Sequence, residues 1–106
     1  MSSTYYQDAV AIKPDLVKFM QDIIRIPSLS SEEGAVVERI EEEMLRIGYD
    51  EVSIDPMGNV IGRIGSGPKV IAFDGHVDTV DVGDPDLWDR DPHSGDIEGD
   101  ILYGRG

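Results

Sequence analysis

Val70-Ile-Ala-Phe-Asp-Gly-His-Val-Asp-Thr-Val80 is the segment of this 106-residue chain that most clearly indicates its fold and its candidate site. Its first four residues are apolar and partly β-branched, and turn residues bound them: Gly67-Pro68 before and Asp74-Gly75 after. A short apolar run between turn residues predicts a buried strand. We therefore expect a buried strand over residues 70–73, followed directly by a polar loop.

That loop contains His76 and Asp78, two residues apart. A histidine binds a metal through a neutral ring nitrogen, and its other N–H then needs an acceptor such as a carboxylate. Loops that follow strands are also where α/β proteins place their chemistry. One interpretation makes His76 a metal ligand and Asp78 the carboxylate that orients it. A hydrogen-bonded structural histidine and an aspartate that bonds its own turn are the alternative interpretation.

The segment Asp74-Gly-His-Val-Asp-Thr-Val80 resembles the first metal-binding motif of the dizinc amidohydrolases that include aminoacylase, carboxypeptidase G and succinyl-diaminopimelate desuccinylase. Two further matches stand in the order of that family. Upstream is Ile26-Pro-Ser28, and downstream are Trp88, Asp91-Pro92 and Leu102-Tyr-Gly-Arg-Gly106. The run from Asp78 to Asp84 is most similar to a branch of hydrolases named for selenium metabolism.

The resemblance implies an α/β fold, the N-terminal portion of a zinc-exopeptidase-like three-layer domain in which two helices pack on a mixed, incomplete sheet. It implies two zinc ions, with cobalt as the alternative metal, and it assigns His76 as a metal ligand and Asp78 as the catalytic carboxylate that orients it. It also implies that a metal-activated water hydrolyses an amide bond in a peptide or N-acyl amino acid. In the family, a bridging aspartate and a catalytic glutamate follow the Tyr-Gly-Arg-Gly segment. Residues 1–106 are therefore expected to form a catalytic domain truncated before both.

Two hypotheses about function follow. The chain is either the front part of a zinc-dependent amidohydrolase, or a catalytically inactive truncated domain that serves as a remnant or a binding module. Since one structural zinc already requires about four ligands, we expect the 106 residues alone to be inactive. His93, the other histidine, is expected at the surface, and Arg105 is expected to pair with a carboxylate.

The composition is acidic, with 22 acidic and 9 basic residues and a net charge of −13. Such a surface disfavours nucleic acid and an anionic membrane as partners. The chain has no cysteine, so a zinc site would have to use histidine and carboxylate. Neither a signal peptide nor a run of membrane-spanning length is recognisable. These features predict a cytoplasmic protein.

Two helices are predicted from apolar periodicity. The first begins at Pro14 and carries an apolar stripe that ends before Pro27. The second begins with a capping box, formed by Ser30 and Glu33, and ends at Gly48.

Strands and surface features complete the prediction. Residues 49–55 and 59–64 form one hairpin, and residues 96–103 form a smaller one that turns at Glu98-Gly99. Residues 41–43 are three consecutive glutamates, which we interpret as a solvated helix face. An unpaired edge on the last strand favours a homo-oligomer.

Overall fold

The computed structural model describes residues 4–105. Two helices and four strands confirm the α/β class, and the strands form two separate antiparallel pairs among the described residues. The predicted mixed sheet would also contain parallel strands. Among the described residues, parallel pairing is limited to one bridge between Leu29 and Thr79. The elements in chain order are α1 (Thr4–Ile24), α2 (Gly34–Ile47), β1 (Glu51–Ile54), β2 (Val60–Arg63), a 3₁₀ turn (Pro85–Leu87), β3 (Ile97–Glu98) and β4 (Ile101–Leu102).

The chain is organised as two compact units. One unit combines the residues up to Arg25 with those from Asp84 onward, and it contains α1 and the β3–β4 hairpin. The other unit is Ile26–Gly83, and it contains α2 and the β1–β2 hairpin. The single three-layer domain implied by the family resemblance stays a prediction.

The hairpin predicted over residues 49–64 is confirmed. Glu51 lies opposite Arg63 and Ile54 lies opposite Val60. The turn is fixed by Asp55, whose Oδ1 accepts the backbone N–H groups of Met57 and Asn59, each at 2.9 Å. This is the local bonding that favours aspartate in turns. The smaller hairpin is also present, with Glu98 paired to Ile101.

The core of the second unit lies where α2 packs on the β1–β2 hairpin. Val36 and Val37 of α2 are buried. Gly62 of β2 lies so close to its neighbours that an added Cβ would come within 2.5 Å of the Tyr49 ring and 2.8 Å of the Met44 sulfur. A glycine is therefore required at this point of the strand.

The two ends of α2 differ in how well they were predicted. At its C-terminus Gly48 adopts a left-handed conformation with φ 90°, and the N–H of Tyr49 donates to the carbonyl of Met44 at 3.0 Å. This confirms the predicted cap. The predicted capping box is wrong. Glu33 occupies the N-cap position without a side-chain capping bond, so Ser30 lies too far ahead of the helix to cap it.

Helix α1 begins at Thr4, so the prediction that Pro14 occupies its first turn is wrong. Pro14 lies inside the helix, where its ring removes one backbone donor without ending the element. The predicted apolar stripe is only partly covered, because Leu16 and Met20 remain exposed. Neither described helix has the combination of length and apolar character needed to cross a membrane.

Residues 70–73 do not form the predicted buried strand. They have no regular secondary structure, and Val70, Ile71 and Phe73 are 88%, 81% and 96% exposed. A strand needs a neighbouring backbone with which to exchange hydrogen bonds, and no strand within residues 4–105 pairs with this segment. The apolar pattern predicts a buried strand, but a strand also needs a neighbouring strand, and none of the described strands lies beside residues 70–73.

Glu43 is an exception to the solvated face predicted for residues 41–43. Its side chain is buried on α2 between Arg46, whose Nη2 lies 2.8 Å from Oε1, and Arg39, whose Nη1 lies 3.6 Å from Oε2. The hydrogen bond from Arg46 is the main reason that the pKa of Glu43 falls below its usual 4.5, although burial opposes the shift. The carboxylate is therefore held in its charged form.

We expect Glu43→Gln to lower the free energy of unfolding by about 1–3 kcal/mol, because two arginines lose a buried charged acceptor. Urea denaturation measures this loss, with exposed Glu42→Gln as the matched control. The pKa of Glu43 is lowered on folding, so its stabilisation is complete above pH 4.5 and is lost as the pH falls through the lowered value. Equal denaturation midpoints for the two variants at neutral pH would refute this role.

Candidate functional site

The loop that carries the candidate residues is held against the segment that precedes α2. Ser28 is buried, and its hydroxyl donates to the carbonyl of Val77 at 2.8 Å. The N–H of Thr79 donates to the carbonyl of Ser28 at 2.7 Å. Because these bonds lie on either side of Asp78, they fix the backbone at that residue. In the sequence, Ser28 stands out only as part of the Ile26-Pro-Ser28 segment, which does not indicate these hydrogen bonds.

The structure brings His76 and Asp78 together. The Nδ1 atom of His76 lies 3.1 Å from Oδ1 of Asp78 and 3.0 Å from the carbonyl oxygen of the same residue. A carbonyl and an ionised carboxylate can only accept hydrogen bonds, so Nδ1 has to carry the proton. The neutral ring then keeps its lone pair on Nε2, which is the form that binds a metal.

Asp78 is held in turn by Ser30, whose hydroxyl donates to Oδ2 at 2.7 Å. This bond is the largest cause that lowers the pKa of Asp78 below 3.8; the hydrogen bond and charge of His76 lower it further, and partial desolvation opposes them. The carboxylate therefore uses one oxygen for Ser30 and the other for His76. The sequence pattern at Ser30 predicts a helix cap and does not indicate this contact with Asp78.

We expect Ser30→Ala to raise the pKa of Asp78 toward 3.8, because the substitution removes a donor that favours the ionised form. NMR titration of the Asp78 carboxyl carbon measures the shift. Ser66→Ala, an exposed serine elsewhere in the same unit, is the control and should leave the titration unchanged. An unaltered Asp78 titration in Ser30→Ala would show that the hydroxyl does not bind the carboxylate in solution.

The described residues do not by themselves fit a zinc site. Among residues 4–105, no group of three or more histidine, cysteine, aspartate or glutamate side chains is arranged to hold a metal ion. His76 offers one ring nitrogen, whereas a zinc ion in a protein takes about four ligands. The geometry among these residues therefore defines one oriented histidine.

His93 and Arg105 belong to the other unit. The Nδ1 atom of His93 lies 3.3 Å from the carbonyl oxygen of Ile24, and the ring is only half-exposed. This contact is that of a structural histidine anchored to the end of α1. The backbone N–H of Arg105 donates to the carbonyl of Pro92 at 2.7 Å. The carboxylate partner expected for its side chain stays a prediction.

Comparison with known proteins finds relatives over most of the chain, although no protein-family profile matches it. The chain is 49% identical over 92 residues to the uncharacterized protein YgeY of Escherichia coli. It is 38% identical over 96 residues to the succinyl-diaminopimelate desuccinylase of Cereibacter sphaeroides, and 32% identical over 101 residues to that of Ehrlichia canis.

Each of these matches covers 87% of this chain, but only 23%, 25% and 26% of the respective relative. The chain thus spans about a quarter of the length of the curated relatives it matches. The similarity links the chain to a segment of proteins named as succinyl-diaminopimelate desuccinylases.

Proposed function

We propose that this chain contributes one metal ligand and its orienting carboxylate to a zinc-dependent amidohydrolase or peptidase of the aminoacylase, carboxypeptidase G and desuccinylase family. The proposal rests on the contact between His76 Nδ1 and Asp78 Oδ1, in a chain that is similar over 87% of its length to desuccinylases. In it, Nε2 of His76 would hold one of two zinc ions, with cobalt as the alternative metal.

The proposal gives Asp78 a positioning role. A carboxylate that accepts the second N–H of a metal-bound histidine fixes the ring orientation and makes the ring a stronger ligand. Ser30 then supports the ligand through Asp78. A metal pair, when bound, supplies an activated water and polarises the amide carbonyl. The further ligands would come from parts of the relatives that this chain does not match.

The substrate class follows from the same relatives. A peptide or an N-acyl amino acid is the proposed substrate, because the desuccinylases are named for removing a succinyl group from diaminopimelate. The net charge of −13 supports a small-molecule substrate over nucleic acid or an anionic membrane. We also propose a cytoplasmic location for the protein.

A chimera tests this function. The matched segment of the Cereibacter sphaeroides desuccinylase is replaced by residues of this chain, and zinc content and hydrolysis of N-succinyl-diaminopimelate are measured. We expect zinc binding and hydrolysis. A chimera with native-like circular dichroism that binds no zinc would contradict the proposal and would favour the inactive domain or binding module.

A further inference from the structure

Ser28 makes two hydrogen bonds to the candidate loop, one with its side chain and one with its backbone. Its hydroxyl donates to the carbonyl oxygen of Val77 at 2.8 Å, and its own carbonyl oxygen accepts the N–H of Thr79 at 2.7 Å. The residue is only 4% exposed, so water has little access to replace either bond. All three residues lie in the same compact unit, Ile26–Gly83. The loop is therefore attached to Ser28 at two points within one unit.

The two bonds hold the two peptide groups that meet at Asp78. The carbonyl of Val77 belongs to the peptide group before the Cα atom of Asp78, and the N–H of Thr79 belongs to the group after it. Each peptide group is planar, so the backbone at a residue has only two soft rotations, φ and ψ. Because both planes are held, Ser28 alone restrains both rotations at Asp78.

The backbone of Asp78 also contacts the histidine. The Nδ1 atom of His76 lies 3.0 Å from the carbonyl oxygen of Asp78, close to the 3.1 Å that separates it from Oδ1. That carbonyl and the N–H of Thr79 belong to one trans peptide group, whose C=O and N–H point in opposite directions. The N–H end is bound to Ser28 and the C=O end contacts His76. The backbone contact to the ring therefore depends on the bond to Ser28.

We propose that Ser28 is a positioning residue for the metal ligand, because it holds Asp78 in the orientation that directs Nε2 of His76 toward the ion. The inference rests on the proposed function, in which His76 is the ligand. Ser30 acts on a different group, since its hydroxyl binds Oδ2 of Asp78 at 2.7 Å. Ser28 thus holds the backbone of Asp78, and Ser30 holds its carboxylate. Supporting hydrogen bonds of this kind set the geometry of metal ligands.

The tautomer of His76 in the 106-residue chain tests this role. Ser28→Ala keeps the residue small but removes the donor to the carbonyl of Val77. We expect the ratio of rings protonated on Nδ1 to rings protonated on Nε2 to fall by about fivefold, the effect of one typical hydrogen bond. Long-range ¹H–¹⁵N correlation spectra measure this ratio. Ser28→Thr keeps a hydroxyl, so it should restore the ratio at least in part.

Two control variants separate positioning from stability. Glu43→Gln disturbs the same unit through the arginines of α2 instead of through the loop, and Ser66→Ala removes an exposed hydroxyl. Both should keep the ratio of the unsubstituted chain. An unchanged ratio in Ser28→Ala would overturn the inference. An equal fall in Glu43→Gln would also overturn it, because that result is expected if Ser28 only stabilises the unit.

Zinc affinity in the desuccinylase chimera connects this positioning role with metal binding. We expect Ser28→Ala to weaken zinc binding by about tenfold, the lower end of the range for groups that support a metal ligand. Ser66→Ala should leave zinc binding unchanged, and equal affinities in the two variants would contradict the role of Ser28 alone. A chimera that binds no zinc would instead contradict the proposed function, and the tautomer ratio would still decide whether Ser28 positions the ring.

Discussion

His76→Ala, introduced into the active desuccinylase chimera, is expected to lower hydrolysis by more than the roughly 10–100-fold loss that follows removal of a ligand's orienting partner. The substitution deletes the ring nitrogen that would bind the metal, and among residues 4–105 no group of three or more potential ligands is arranged to hold the ion without it. Bound zinc, measured by mass spectrometry, should fall together with activity.

Asp78→Asn in the same chimera is expected to lower hydrolysis less than His76→Ala does. Its expected loss is about 10–100-fold, because the asparagine keeps the shape but weakens acceptance of the N–H on His76 Nδ1. His93→Ala, which lies in the other unit, is the control and should retain activity. If His76→Ala kept most of the zinc and most of the activity, the assignment of His76 as a ligand would be wrong.

Gly62→Val is expected to cause the largest loss of stability among single substitutions in the second unit, about 2–3 kcal/mol or more. The new side chain would occupy space already filled by the Tyr49 ring and the Met44 sulfur. Relief of the overlap requires α2 to move away from the hairpin, which would expose Val36 and Val37. Chemical denaturation monitored by circular dichroism measures the effect.

Gly67→Val is the matched control, because a side chain added at Gly67 would meet no atom within 4 Å. The double variant Tyr49→Ala/Gly62→Val identifies the cause. If the ring is what the valine strikes, the double variant should lose less stability than the two single losses added together. A Gly62→Val protein as stable as Gly67→Val would mean that α2 does not pack on β2 in solution.

Local signals account for the features that the sequence predicted well. The hairpin turn depends on the bonds from Asp55 to its own neighbours, and the end of α2 depends on the left-handed conformation of Gly48. Both are decided within a few residues of the chain. The pairing of His76 with Asp78 is equally local, since the two residues stand two apart in the sequence.

Predictions failed where the outcome depends on residues distant in the sequence. The hydroxyl of Ser30 could cap a helix or bind Asp78, and only the folded loop brings Asp78 within 2.7 Å of it. Glu43 is a local exception, because it looked like its exposed neighbour Glu42 but is buried and paired with Arg39 and Arg46, four and three residues away on the same helix. Residues 70–73 show the opposite failure. Their apolar pattern predicts burial, but their large side chains are exposed because no described residues cover them.

The protonation state of the His76 ring tests the central claim most directly. Long-range ¹H–¹⁵N correlation spectra of the 106-residue chain, recorded at a pH where histidine is neutral, distinguish the two tautomers, and His93 serves as an internal reference. We predict a ring protonated on Nδ1, with Nε2 unprotonated, and a loss of this preference in Asp78→Asn. A ring protonated mainly on Nε2 would contradict the account, because Nε2 would then have no lone pair for a metal.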